Sequence, residues 1–210
     1  MTPEVRRMSR FACLLGLLGW SCAATAADAN LDCKAAKARS IERLMCRSAM
    51  LARMDAELTH LYTLATAPKA GAAVSAIRKQ QAGWLAQRAA CAKSKTQEEC
   101  VRDVYLARIA AIRAQSRQAR SADGKGISLG PFAFRCDKLD DVLDITYVNV
   151  DPGLAWVTIK DQSYPLVQQR SGSGTRYEGN GTLFWEHQGE ARWRGTTNTP
   201  EVICNRVTTG

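Results

Sequence analysis

Apolar residues recur every three or four positions along the first half of this 210-residue chain and every second position along the other half. No single kind of regular element satisfies both periods. Leu51, Met54, Leu58, Leu61, Tyr62 and Ala65 fall on one helical face, and Val74, Ile77, Gln81, Trp84, Leu85 and Arg88 do so in the next segment. Val101, Val104, Tyr105, Ile109 and Ile112 mark a further helix, preceded by Thr96-x-x-Glu99, the pattern of a capping box. From Gln115 to Pro131 large apolar groups are few and Ser and Gly frequent, which predicts a linker. Beyond it Leu143, Ile145 and Tyr147 alternate with Asp144 and Thr146, as in a half-buried strand. Val148 and Val150 break that phase and place a bulge or a strand end near Asn149. Turn signals follow at Asp151-Pro152-Gly153, Lys160-Asp161, Ser171 to Gly174, Gly179-Asn180-Gly181, Gln188-Gly189 and Asn198-Thr199-Pro200. Short strands with turns this frequent predict an antiparallel sandwich or barrel. The expected order is therefore a helical bundle over 27–114, a linker over 115–131 and an all-β domain over 132–210.

Residues 1–26 read as an export signal rather than as part of the fold. Arg6, Arg7 and Arg10 precede an apolar stretch from Phe11 to Leu18, and Ala24-Thr25-Ala26 supplies the small-x-small cleavage pattern. The stretch is far shorter than the roughly 20 residues of a membrane span. Lipid attachment at Cys22 is the competing processing route, but Trp20 is bulky where small residues are usual. Cleavage near Ala27 leaves Cys33, Cys46, Cys91, Cys100, Cys136 and Cys204, an even set that reads as disulfides in an exported chain. Six cysteines allow 15 pairings, and position suggests that neighbours pair. No C-x-x-C spacing occurs and no histidine lies near a cysteine pair, so neither a zinc site nor any other metal centre is expected.

The formal charge of +9 first suggests nucleic acid or an anionic surface as partner. Its distribution says otherwise. Residues 27–120 hold 17 Lys and Arg against 8 Asp and Glu, whereas residues 121–210 hold 9 against 11. The basicity belongs to the helical half, and the β half is mildly acidic, which suits a basic protein partner and not nucleic acid.

The densest run of signals in the β half comprises Ser171-Gly172-Ser173-Gly174-Thr175-Arg176-Tyr177, then Phe184-Trp185-Glu186-His187, with Ala191 soon after. Gly172 and Gly174 suit a hydroxyl carried on closely approaching backbone. Tyr177 and Trp185 read as packing residues at loop bases, and Arg176 as a solvated strand-end cation or a ligand for a partner carboxylate. This stretch resembles the membrane-bound and periplasmic inhibitors of c-type lysozyme over about residues 134–207. The resemblance implies an eight-stranded antiparallel β-barrel whose first loop inserts a serine, here Ser173, into the lysozyme cleft. It also implies a second loop whose lysine bonds the catalytic carboxylates. Fourteen positions beyond Ser173 that place is held by His187. The lysozyme carboxylates serve as general acid and nucleophile, so occupying both would stop chemistry and exclude substrate.

The helical half is similar to LprI-type lysozyme inhibitor domains through Leu31-Asp32-Cys33, Glu42, Cys46, Leu51, Asp55, Leu58 and Tyr62. Gln81-x-x-Trp84-Leu85, Arg88, Cys91, Cys100, Tyr105 and Arg108 continue the similarity. It implies a helical, disulfide-bridged envelope domain and names no contact residues. His60 reads as a helix-surface or packing residue. The functional expectation is a periplasmic inhibitor of c-type lysozyme that needs neither cofactor nor turnover. The alternative is an envelope-binding module attached to anionic polymer or lipid through its basic half. Asp140, Asp141 and Asp144 read as a solvated strand entry rather than an acid/base pair. Protonated imidazole adds a second N–H donor and a charge. If His187 fills the lysine role, inhibition therefore strengthens as pH falls from about 8 to 5, the range in which histidines gain charge. The check is the inhibition constant across that range, with His187→Ala expected to flatten the profile.

Overall fold

A computed structural model describes residues 31–67, 71–120 and 124–207; the expected export signal and Cys22 lie outside the described residues. Serines start the first two helices. The Ser40 hydroxyl accepts from the Arg43 N–H at 3.2 Å to open α1 (Ile41–Arg47), and Ser48 accepts from the Leu51 N–H to open α2 (Ala49–Thr66). Next come α3 (Ala72–Ala90), a short 3-10 turn (Cys91–Lys93), α4 (Gln97–Gln115) and α5 (Arg117–Arg120). Thr96 is the N-cap residue of α4, but its side chain makes no capping bond, so the capping box expected there does not form. Glu98 and Glu99 still place negative charge in the first turn, where the helix dipole favours it.

The predicted apolar faces meet in one core. Leu51, Met54, Leu58, Leu61, Ile77, Trp84, Val101, Tyr105, Ile109 and Ile112 are buried, whereas Leu85 remains exposed. Polar bonds fix how the helices sit. Trp84 Nε1–H donates to the Val104 carbonyl oxygen at 3.2 Å, and Arg108 bonds Gln80, Gln81 and the Ile77 carbonyl oxygen, joining α3 to α4. The Tyr105 hydroxyl donates to buried Asp55 at 2.8 Å, and burial raises the carboxyl pKa of Asp55. Disulfides Cys33–Cys46 and Cys91–Cys100 clamp the entry to α1 and the turn between α3 and α4.

Eight strands follow: β1 (Ser128–Cys136), β2 (Val142–Val148), β3 (Leu154–Ile159), β4 (Gln162–Gln169), β5 (Thr175–Gly179), β6 (Thr182–His187), β7 (Glu190–Arg194) and β8 (Val202–Arg206). Each pairs antiparallel with the next, and β8 returns to β1, closing the barrel. Cys136 and Cys204 are register partners across that seam and form the third disulfide. The interior is filled by alternate residues, among them Phe134, Leu143, Ile145, Val157, Leu166, Phe184 and Trp193. The stretch expected as a linker, 115–131, contains α5 and the first residues of β1.

The phase break at Val148 has a physical cause. Leu143, Ile145 and Tyr147 point into the barrel, while Val148 and its register partner Leu154 point outward and, with Val150, are buried in the helical core. Polar contacts secure the same junction. The buried Glu57 carboxylate on α2 accepts the Ile127 and Ser128 N–H groups and the Ser128 hydroxyl. Arg113 on α4 donates to the Gly130 carbonyl oxygen at 2.8 Å and to the Ser128 hydroxyl at 3.3 Å. Arg53 donates to the Asn149 carbonyl oxygen at 2.9 Å. Removing the carboxylate leaves buried donors unsatisfied, at about 1–3 kcal/mol for each. Glu57→Ala is expected to lower unfolding stability by at least about 2 kcal/mol, read from chemical denaturation, with Glu57→Gln recovering part of the loss.

Candidate functional site

The loops around Ser173 and His187 lie on the same rim of the barrel because β4 and β6 run in the same direction through it. The loop from Arg170 to Gly174 joins β4 to β5, and Gln188-Gly189 turns β6 into β7. Thr175 pairs with Glu186 where the two connections meet. Trp185 Nε1–H donates to the Ser173 carbonyl oxygen at 3.0 Å, tying the first loop to β6. The Ser171 hydroxyl lies 2.6 Å from the Ser173 carbonyl oxygen and 2.9 Å from that of Gly174, folding the loop on itself. Ser173 and His187 are both exposed.

The two glycines have different roles. A Cβ at Gly172 would meet nothing within 4 Å, so the structure sets no steric demand there. Gly174 has φ +64° and lies against β6, where a Cβ would strike the Glu186 carbonyl oxygen and come within 2.9 Å of the His187 Cβ. That contact brings the two loops together.

The remaining predicted residues separate by strand face. Tyr177 points into the barrel, its ring 5.6 Å from that of Tyr147, and the Tyr147 hydroxyl donates to Glu186 at 2.7 Å. Burial, with the Glu186 charge second, pushes the Tyr177 phenol up to about 12, and Tyr147 is raised by burial and by its bond to Glu186. This pair supports the rim from inside. Arg176 points outward opposite Trp185, and its Nε and Nη2 are bound to Glu178 on its own strand, so part of its charge is already matched there. Asp141 is paired with Lys160 at 2.7 Å and Asp144 lies on the outer face toward α4, so the aspartates of the strand entry do not converge.

A cleft of about 310 Å³ opens between the loops, lined by Ser173, Trp185, His187, Gln188, Glu190 and Arg192. Glu190 and Arg192 belong to none of the motifs picked out in the sequence. The signal for them lies in the Gln188-Gly189 turn: a two-residue hairpin sets His187 opposite Glu190 and Trp185 opposite Arg192, all on the outward phase.

Comparison with known proteins shows likeness to a family model and to curated relatives. The family model described as membrane-bound lysozyme-inhibitor of c-type lysozyme matches residues 134–201, from the last residues of β1 to the residue before β8. The proteins named lipoprotein LprI from Mycobacterium bovis and Mycobacterium tuberculosis are 31% identical to this chain over 167 residues, covering 79% of the chain and 79% of each relative.

The close approach at Gly174 yields a direct test of loop placement. Gly174→Ala is expected to destabilise the chain by more than about 1 kcal/mol, because alanine opposes the positive φ and the Cβ meets β6 backbone. Thermal unfolding measures this, and Gly172→Ala, with open space around it, is the matched control.

Proposed function

The chain belongs to the family of lipoprotein LprI, and on that premise we infer that it is a lysozyme inhibitor of the cell envelope. Its barrel enters the active-site cleft of a c-type lysozyme by way of the Ser173 loop and the His187 turn. The observation that carries this reading is the juxtaposition of those two connections, one fastened to the other through Trp185 and Gly174. A retaining glycosidase works with two carboxyl groups about 5–5.5 Å apart, one donating a proton and one attacking or stabilising the sugar. The Ser173 hydroxyl and the His187 imidazole, which line one cleft, are groups that can donate to such carboxylates. Bonds to both carboxylates remove the acid and the nucleophile together, while the loops fill the space of the substrate.

The likeness to lipoprotein LprI and the expected leader support a location in the envelope. We place the mature chain in the envelope after export, with residues 1–26 as the signal. The relatives' name, lipoprotein, favours the alternative of a lipid-anchored form through Cys22. In the Cys33–Cys46 loop and α1, Lys34, Lys37, Arg39 and Arg47 are exposed, while Asp32 accepts from the Lys34 and Ala35 N–H groups and Glu42 is paired with Arg88. Those cations favour attachment to an anionic envelope surface as a second role.

The inhibitor reading is tested by titrating c-type lysozyme activity with the full chain. Ser173→Ala is expected to weaken inhibition about tenfold, as for the loss of one bond to a charged acceptor worth roughly 1.5 kcal/mol. Absence of inhibition by the unaltered chain would overturn the reading.

A further inference from the structure

Arg192 is the side chain in the cleft best suited to a carboxylate, and neither the Ser173 loop nor the His187 turn contains it. The Gln188-Gly189 turn has φ +54° and +85°, and both values fit the tight hairpin turn that fixes strand register. That register sets Arg192 directly across from Trp185, with its guanidinium carbon 5.9 Å from the indole centre. Trp185 is in turn bonded to the Ser173 carbonyl oxygen, so cation, ring and serine loop form one connected edge of the cleft.

Neighbouring outward cations are engaged elsewhere: Arg176 with Glu178 and Arg194 with Glu201 at 3.4 Å. Among the described residues Arg192 takes part in none of the ion pairs, and it is exposed. Glu190, the carboxylate lining the same cleft, stands opposite His187 in register. Arginine keeps its charge at every physiological pH and presents a planar fork that matches a carboxylate with two parallel bonds. A neutral histidine offers one N–H.

Resting on the inhibitor reading above, we propose that Arg192 is a carboxylate-binding residue. Its guanidinium, set against Trp185, receives an acidic side chain of the bound enzyme in the cleft flanked by Ser173 and His187. The charge contributed to the complex is then permanent.

The test uses the full chain with Arg192→Gln and Arg192→Lys, assayed for inhibition of a c-type lysozyme between about pH 5 and 8. Arg192→Gln is expected to weaken inhibition at least tenfold at every pH, with the unfolding temperature unchanged, and Arg192→Lys to retain part of the affinity. Calorimetric binding to lysozyme variants with single catalytic carboxylates replaced by amides supplies the second measurement. Non-additive losses between Arg192→Gln and one such amide support the pairing, and additive losses throughout overturn it. If the unaltered chain inhibits, Ser173→Ala weakens it and Arg192→Gln changes nothing, the Arg192 assignment falls alone. If the unaltered chain does not inhibit, the underlying reading falls first.

Discussion

Closure of the sheet between β1 and β8 is the constraint on which the rest of the β half depends. An open sheet of eight short strands would leave two rows of unpaired N–H and C=O groups. Closing it pairs those rows and forces alternate residues inward, where Phe134 meets Phe184 edge-on at 5.3 Å and Tyr164 meets Trp193 in the same way. Closure also sorts the connections between strands onto two rims. Because each strand reverses the last, the β2–β3, β4–β5 and β6–β7 connections share a rim, and the proposed inhibitory loops occupy two of them. Ser173 and His187 are thus neighbours through barrel topology, and none of the three disulfides lies between their loops.

The third connection on that rim is held by the helical half. Arg53 binds the Asn149 carbonyl oxygen, Val150 is buried in the helical core, and the Gln168 N–H donates to the Gly153 carbonyl oxygen, joining this turn to the end of β4. Asp151 and Pro152 then line a shared recess with Arg170, Ser171 and Gly174. The helices therefore set the position of the rim as well as adding mass to the chain. Burying Glu57 and Arg113 at the junction is tolerable because each bonds to backbone or hydroxyl groups of β1 and the residues leading into it.

Much of this was legible in the sequence because local chemistry and tertiary structure agree. The change of period separated helices from strands, the Gly, Asn and Asp clusters fell at the strand connections, and neighbouring cysteines form the three bridges. The illegible parts are those that depend on contacts distant in sequence. Nothing local in the sequence names the partners of Asp55 and Glu57, since Tyr105 and Ser128 arrive from 50 and 71 residues away. Thr96 has the pattern of a capping box without the bond, since sequence supplies the groups but not the backbone angle. Arg192 carried no motif. Its place in the cleft follows from strand register, which requires the turn and the pairing together.

Val148, Val150 and Leu154 carry a consequence for how such a protein can change over time. They belong to the β half by sequence and to the helical core by burial. A gene that shed its first half would expose an oily seam on the barrel wall, and one that shed its second half would open a hole in the helical core. A large-to-small or apolar-to-polar substitution on one side of this seam therefore costs both halves at once, and moving either half into another protein requires the seam to be made polar or covered anew.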